Sequence, residues 1–155
     1  MIKIKHLGDH KYSANNGKDV IVIDPKKYSP VDYFITGIGN CSMFDVVELA
    51  KNKGYEIDEF NMQIEYERKS TYPKIFTEFH LIYDIVSQAD AIDVRRWVLS
   101  SLETYCSTIN TVRKVSKIYY TIKLNGEIIA YKEFIISGDV EDSDGFDDDD
   151  YICVA

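Results

Sequence analysis

The stretch that most constrains this chain is residues 30–53, PVDYFITGIGNCSMFDVVELAKNK, which carries apolar side chains on every face over most of its length. Ser29 suits the N-cap of a helix, Pro30 suits its first position, and Asp32 lies at the positive end of the helix dipole. Phe34, Ile35, Ile38, Cys41 and Val46 recur at helical spacing, while Met43, Phe44 and Val47 fill other faces. Charge gathers only near the end, at Glu48, Lys51 and Lys53, before Gly54 offers a C′ stop. Such a helix cannot lie on a surface with one face in water, so the pattern predicts a central, largely buried helix with Cys41 near its middle. Gly37 and Gly39 each cost about 1 kcal/mol relative to Ala. They are expected where another backbone packs closely against the helix.

The segments around this helix read as strands and shorter helices. Residues up to Lys27 form short strands: Ile2, Ile4 and His6 alternate with lysines, and Val20–Ile23 is a β-branched run after the turn signal Asn15-Asn16-Gly17. Phe60, Met62, Ile64 and Tyr66 alternate with polar neighbours. Ile75–Val86 alternates too, with Ile75, Thr77, Phe79, Leu81, Tyr83 and Ile85 on one side. The Pro73-containing link between the two runs predicts an antiparallel hairpin. A second helix begins near Asp90 with an apolar stripe of Val94, Val98, Leu102 and Tyr105. The poor helix formers of Tyr105-Cys106-Ser107-Thr108 break it before a short third helix to about Lys114. Ile118–Leu124 and Ile128–Phe134 flank Asn125-Gly126, the strongest short hairpin signal. The order of elements gives an α+β fold in a single domain over residues 1–138, followed by an acidic tail at 139–155.

Charge sorts the same way. The net −8 belongs to the tail, where eight acidic residues from Asp139 onward meet no Lys or Arg, while residues 1–138 hold 18 of each sign. No basic face is available for a phosphate backbone, so nucleic acid is not an expected partner. No apolar run approaches the roughly 20 residues of a membrane span, so no membrane association is expected. The N-terminal MIKIKHLGDH lacks the pattern of a secretory signal, which makes a cytoplasmic location the expectation. The tail is expected to be solvated. Its EF-hand-like fragment, starting at Val140, has Val140 and Tyr151 where the two anchoring carboxylates belong.

The chemistry-bearing residues are the cysteines. Cys41, Cys106 and Cys153 are too few and too widely spaced for a secreted disulfide framework, and no C-x-x-C occurs. Cys41, Cys106 and His80 could in principle hold zinc, but no local spacing supports it, and neither a metal nor a cofactor is expected. A thiol peroxidase needs a thiolate that becomes a sulfenic acid and a second thiol that condenses with it to a disulfide. The nucleophile needs a cation or dipole to bring its pKa down from about 8.5. Cys41 lies mid-helix, away from any terminus, so it calls for an Arg or His from elsewhere. Cys106 falls near a short helix start. The alternative is that both thiols simply fill space, as buried cysteines often do. Cys153 reads as incidental.

Three blocks together resemble the OsmC-like family. Ser29-Pro30-Val31-Asp32-Tyr33-Phe34 with Gly39-Asn40-Cys41-Ser42-Met43-Phe44-Asp45-Val46-Val47 is similar to its S-P-x-E-L-L…G-x-C-x-x-x-D-V segment, with the cysteine eleven residues after the proline. Tyr72-Pro73-Lys74-Ile75-Phe76-Thr77-Glu78-Phe79-His80-Leu81 resembles its H-P-K-V-F-T-E-I-H strand, and Ser101-Leu102-Glu103-Thr104-Tyr105-Cys106-Ser107 its S-x-E-K-Y-C-P/S block. The resemblance implies an OsmC-like fold: an intertwined homodimer with long central Cys-bearing helices packed against β-sheets. It also implies reduction of organic hydroperoxides with a lipoyl-type dithiol as reductant, Cys41 as peroxidatic thiol, Cys106 as resolving thiol and Asp32 as the nearby acid. Two positions depart from the peroxidase branch: Val31 stands where that branch has Glu, and no Arg precedes Arg68. Without that Arg, the expectation is a small thiolate fraction at Cys41. The competing reading is a non-catalytic dimer of the same fold that binds a small molecule or serves a stress-associated role with inert thiols. A third is a structural protein whose tail mediates an interaction.

Overall fold

The computed structural model describes residues 1–135. The acidic tail at 139–155, its calcium-loop-like fragment and Cys153 lie outside the described residues. Strands β1 (Lys3–Gly8), β2 (Lys11–Asn15) and β3 (Val20–Ile23) precede the long helix α1 (Pro30–Asn52). Strands β4 (Ile57–Arg68) and β5 (Phe76–Ser87) lead to helix α2 (Ala91–Ser100), a π-helical turn (Ser101–Tyr105) and helix α3 (Ser107–Val112). Strands β6 (Lys117–Leu124) and β7 (Glu127–Phe134) close the described chain. The fold is α+β, with two sheets in the order β1-β2-β3 and β4-β5-β6-β7.

The boundaries of α1 follow from its caps. Ser29 and Asp32 form a reciprocal capping box: Asp32 N–H donates to Ser29 Oγ (3.2 Å) and Ser29 N–H to Asp32 Oδ2 (2.7 Å). At the other end Gly54 adopts φ +80°, and its N–H and that of Tyr55 bond back to Lys51 and Ala50 carbonyls. Within the chain, only the stripe Ile38, Gly39, Ser42, Val46 and Ala50 is buried, while Phe34 and Phe44 stay exposed. The all-round burial predicted for this helix is therefore not supplied by one copy of the chain. Gly39 does meet a close neighbour, but not a backbone. A Cβ there would come within 2.8 Å of Ile64 Cδ1 and 3.1 Å of Met62 Sδ on β4, so the glycine lets α1 settle on the sheet. Gly37 faces open space.

The core fills the space between the helices and one face of the four-stranded sheet. β4 and β5 pair antiparallel, β5 and β6 parallel, and β6 and β7 antiparallel. On β5, Phe79, Leu81, Tyr83 and Ile85 point inward and are fully buried. Each such side chain contributes on the order of 1.5–3 kcal/mol through burial. The strand start differs from the expected alternation. Phe76, not Ile75, packs on the core, its ring stacked 5.0 Å from Phe79, because the β4–β5 register shifts at Glu67/Arg68. Asn125 and Gly126 take positive φ (51° and 86°) in the β6–β7 turn, and the Asn125 amide ties it to Ser87 through both its backbone groups. α2 begins near Asp90, as expected, with Asp90 as its N-cap: the Asp90 side chain accepts from Asp93 N–H (2.8 Å), and the helix buries Val94, Trp97 and Val98.

Candidate active site

Two pieces of local structure bring the thiols together. On α1, Cys41 lies next to the buried stripe, and Asp45 follows it one turn later. After α2 the backbone widens into the π-helical turn, whose extra residue is closed by the bond from Cys106 N–H to Ser101 C=O (2.9 Å). That turn interrupts the predicted stripe. Leu102 stays buried, but Tyr105 swings half into solvent and Cys106 takes the inward position with no exposed surface. Both cysteines are free thiols, Cys41 half-buried and Cys106 buried. Their Sγ atoms and a carboxylate oxygen of Asp45 all lie within 4.8 Å of one another.

The two thiols have opposite acidities. Burial works against ionisation of Cys41, but hydrogen bonds from the backbone N–H and hydroxyl of Thr108 and from the Cys106 thiol outweigh it, and Asp45 opposes them. The net result is a Cys41 pKa below the ordinary thiol value. The lowering comes without the arginine of the peroxidase branch. The stabilising donor is the first turn of α3, brought to the middle of α1 by the fold. Burial pushes Cys106 up to about 12, with Thr108 and Ile109 pulling the other way and Cys41 adding to the rise. The Cys106 Sγ lies 3.1 Å from Thr108 Oγ1. Thr108 therefore touches both sulfurs.

Behind the thiols runs a buried polar chain. Ser42 Oγ lies 2.7 Å from the Tyr83 hydroxyl and 2.9 Å from Ser101 Oγ, and Ser101 Oγ donates to Asp45 Oδ2 at 3.2 Å. Ser42, Ser101 and Tyr83 have no exposed surface. Burial keeps the Tyr83 phenol protonated far above its ordinary range. Burial also raises the Asp45 carboxyl, against the pull of the Ser101 hydroxyl. Sequence reasoning assigned none of Asp45, Ser42, Ser101, Tyr83 and Thr108 a role. One signal was available: Ser42 falls on the four-residue stripe Ile38, Val46, Ala50, where a hydroxyl has to find a buried partner.

The remaining predicted residues lie elsewhere. Asp32 serves the α1 cap, nine residues before Cys41 and so about 13 Å along the helix axis. His80 projects from the other face of β5, between Glu65 Oε2 (3.2 Å) and Thr121 Oγ1 (2.9 Å), away from both thiols. An apolar groove of about 340 Å³, lined by Tyr33, Phe34, Gly37, Ile38, Thr108 and Val112, opens beside the Thr108 edge of the thiol pair.

Comparison with known proteins gives a consistent result. A family model described as OsmC-like protein matches residues 23–121. Protein YhfA of Escherichia coli K12 is 29% identical over 101 residues, covering 64% of this chain and 75% of that protein. An OsmC-like protein from Mycoplasma pneumoniae superposes with a TM-score of 0.70 at 18% identity, over 80% of this chain and 95% of that one. The organic hydroperoxide resistance protein OhrB of Bacillus subtilis superposes with a TM-score of 0.55 at 16% identity, over 79% and 98% of the two chains. At these identities the solved structures establish a shared fold. Among the described residues, no helix is long and apolar enough to cross a membrane.

Proposed function

We propose, from the premise that this chain belongs to the OsmC-like protein family, that it reduces organic hydroperoxides through Cys41 and Cys106. The observation that carries this reading is the approach of two sulfurs, 65 residues apart in sequence, to within 4.8 Å. Their opposite acidities support it. The Cys41 thiolate attacks the terminal peroxide oxygen, the O–O bond breaks, and the alcohol leaves with a proton from solvent. The resulting Cys41 sulfenic acid is attacked by the Cys106 sulfur. The S–S bond forms as the S–O bond breaks, and water leaves with the Cys106 proton. A lipoyl-type dithiol then returns two electrons and two protons.

The apolar groove beside Thr108 suits the organic part of such a peroxide. Asp32 enters as a positioning residue that fixes the start of α1. We read residues 1–138 as the unit that carries the activity, working as a homodimer in the cytoplasm. The exposed apolar residues of the N-terminal sheet and of α1, including Phe34 and Phe44, support the dimer. A second reading, a non-catalytic dimer that binds an apolar small molecule, is favoured by one observation: the charge of Asp45 opposes ionisation of Cys41.

Consumption of cumene hydroperoxide with dihydrolipoamide, measured beside Cys41→Ser and Cys106→Ser, decides between them. Turnover lost in Cys41→Ser, with a sulfenic acid trapped in Cys106→Ser, is the expected result. Turnover no higher than that of Cys41→Ser, with the protein folded, would leave the binding reading.

A further inference from the structure

We propose that reduced Cys41 and Cys106 together with Asp45 bind one divalent cation of the zinc class. Three donors of the right kind converge here, since their ligand atoms lie within 4.8 Å of one another. Tetrahedral zinc with bonds of about 2.0–2.3 Å spaces its sulfur and oxygen ligands by roughly 3.3–3.8 Å. Closing the site therefore takes a shift of about an ångström in the ligand-atom separations. Cys41 and Asp45 stand four residues apart on one face of α1, and Cys106 comes in from the junction after the π-helical turn. Two thiolates with one carboxylate select a soft or borderline ion over magnesium or calcium.

A further observation points to a cation: Asp45 is oriented for the role. Ser101 Oγ donates to its Oδ2, and Ser101 is itself held by Ser42, in the manner of the hydrogen bonds that fix metal-ligating carboxylates. Cys41 is only half-buried, which leaves an entry path and room for a fourth, exchangeable ligand. A Cys41–Cys106 disulfide would remove two ligands at once, so the ion and the disulfide exclude each other.

Titration of the reduced full-length protein with Co²⁺, followed by Zn²⁺ displacement, tests this. One Co²⁺ per chain is expected, with thiolate-to-cobalt charge-transfer absorption and the ligand-field bands of a tetrahedral site. Cys41→Ser and Cys106→Ser should each weaken the charge-transfer band, and their combination should abolish it. Asp45→Asn should keep the band and lower affinity at least about tenfold. Asp45→Cys, which restores a metal-binding side chain, should recover the affinity and rule out simple misfolding. Forming the disulfide should release the ion. A wild-type protein without the band, an unchanged affinity in Asp45→Asn, or an ion retained by the double serine variant would overturn the site. Metal binding in a protein without peroxide turnover would refute the reductase and leave this site standing. Turnover without metal binding would do the reverse.

Discussion

The two sheets of this protein have similar apolar sequences and opposite fates. In β4–β7 the inward side chains of β5 and β6 are covered by three helices, and Phe79, Leu81, Tyr83, Ile85 and Ile122 have no exposed surface. In β1–β3 the runs are as β-branched, yet Ile4, Val20, Ile21 and Val22 are each about half exposed or more. No residue of β1–β3 is among the buried core or the partly buried residues packed against it. The difference teaches that a strand pattern specifies a sheet but not what covers it. The candidate site is built entirely from the covered half, where Ser42, Tyr83 and Ser101 are fixed by packing.

The sharpest test of that contrast compares the same truncation in both sheets. Leu81→Ala should cost about 2–5 kcal/mol in denaturant unfolding. Val22→Ala should cost under about 1 kcal/mol in the isolated chain, and more only where another surface covers β3. A concentration-dependent loss in Val22→Ala would reveal that cover directly.

Next in size is the polar chain inside the covered half. Ser42→Ala leaves the buried Tyr83 hydroxyl without its partner and should cost about 1–3 kcal/mol. The double change to Ala at Ser42 with Tyr83→Phe should recover part of that loss in thermal unfolding.

Chemical reactivity distinguishes the two thiols more than stability does. Alkylation of Cys41 should have a midpoint below the ordinary thiol range, because Thr108 stabilises its thiolate. Thr108→Val removes the hydroxyl bond and should move that midpoint upward. Cys106 should stay unreactive until pH approaches about 12. Mass spectrometry of the labelled peptides reads both.

The smallest effect is expected at the rim of the covered sheet. Glu133 joins Tyr120 OH (2.5 Å) and Arg95 (2.5 Å), linking β7 to α2. The Tyr120 hydroxyl first, and then Arg95, hold its carboxyl below the ordinary range, against burial. Its contribution is therefore complete above the unfolded carboxyl value of about 4.3 and is lost as pH falls through the lower folded value. Glu133→Gln should destabilise at neutral pH by less than about 1 kcal/mol and flatten the acid limb of the stability profile.

Much of this was legible in the residues. Ser29, Pro30 and Gly54 marked the ends of α1, Asn125-Gly126 marked the last hairpin, and the break at Cys106 was visible in poor helix formers. The thiol pair entered as candidates because their types permit one chemistry. What sequence could not supply was the partner of each group across the fold. Thr108 reaches Cys41 only because α3 crosses α1, and Asp45 meets Cys106 only because the chain widens at 101–105. The Tyr105 misassignment has the same origin, since an even 3.6-residue repeat cannot anticipate an inserted residue.

That inserted residue makes the site a matter of winding. An α-helix advances each residue by about 100°. Winding residues 101–105 evenly, with all five kept, would turn Cys106 and every later side chain by about that angle relative to α2. Tyr105 would then take the inward position and Cys106 would leave it, with every side chain of the site still present. Substitutions along this segment test single contacts, whereas the widened turn couples the two thiols without altering either.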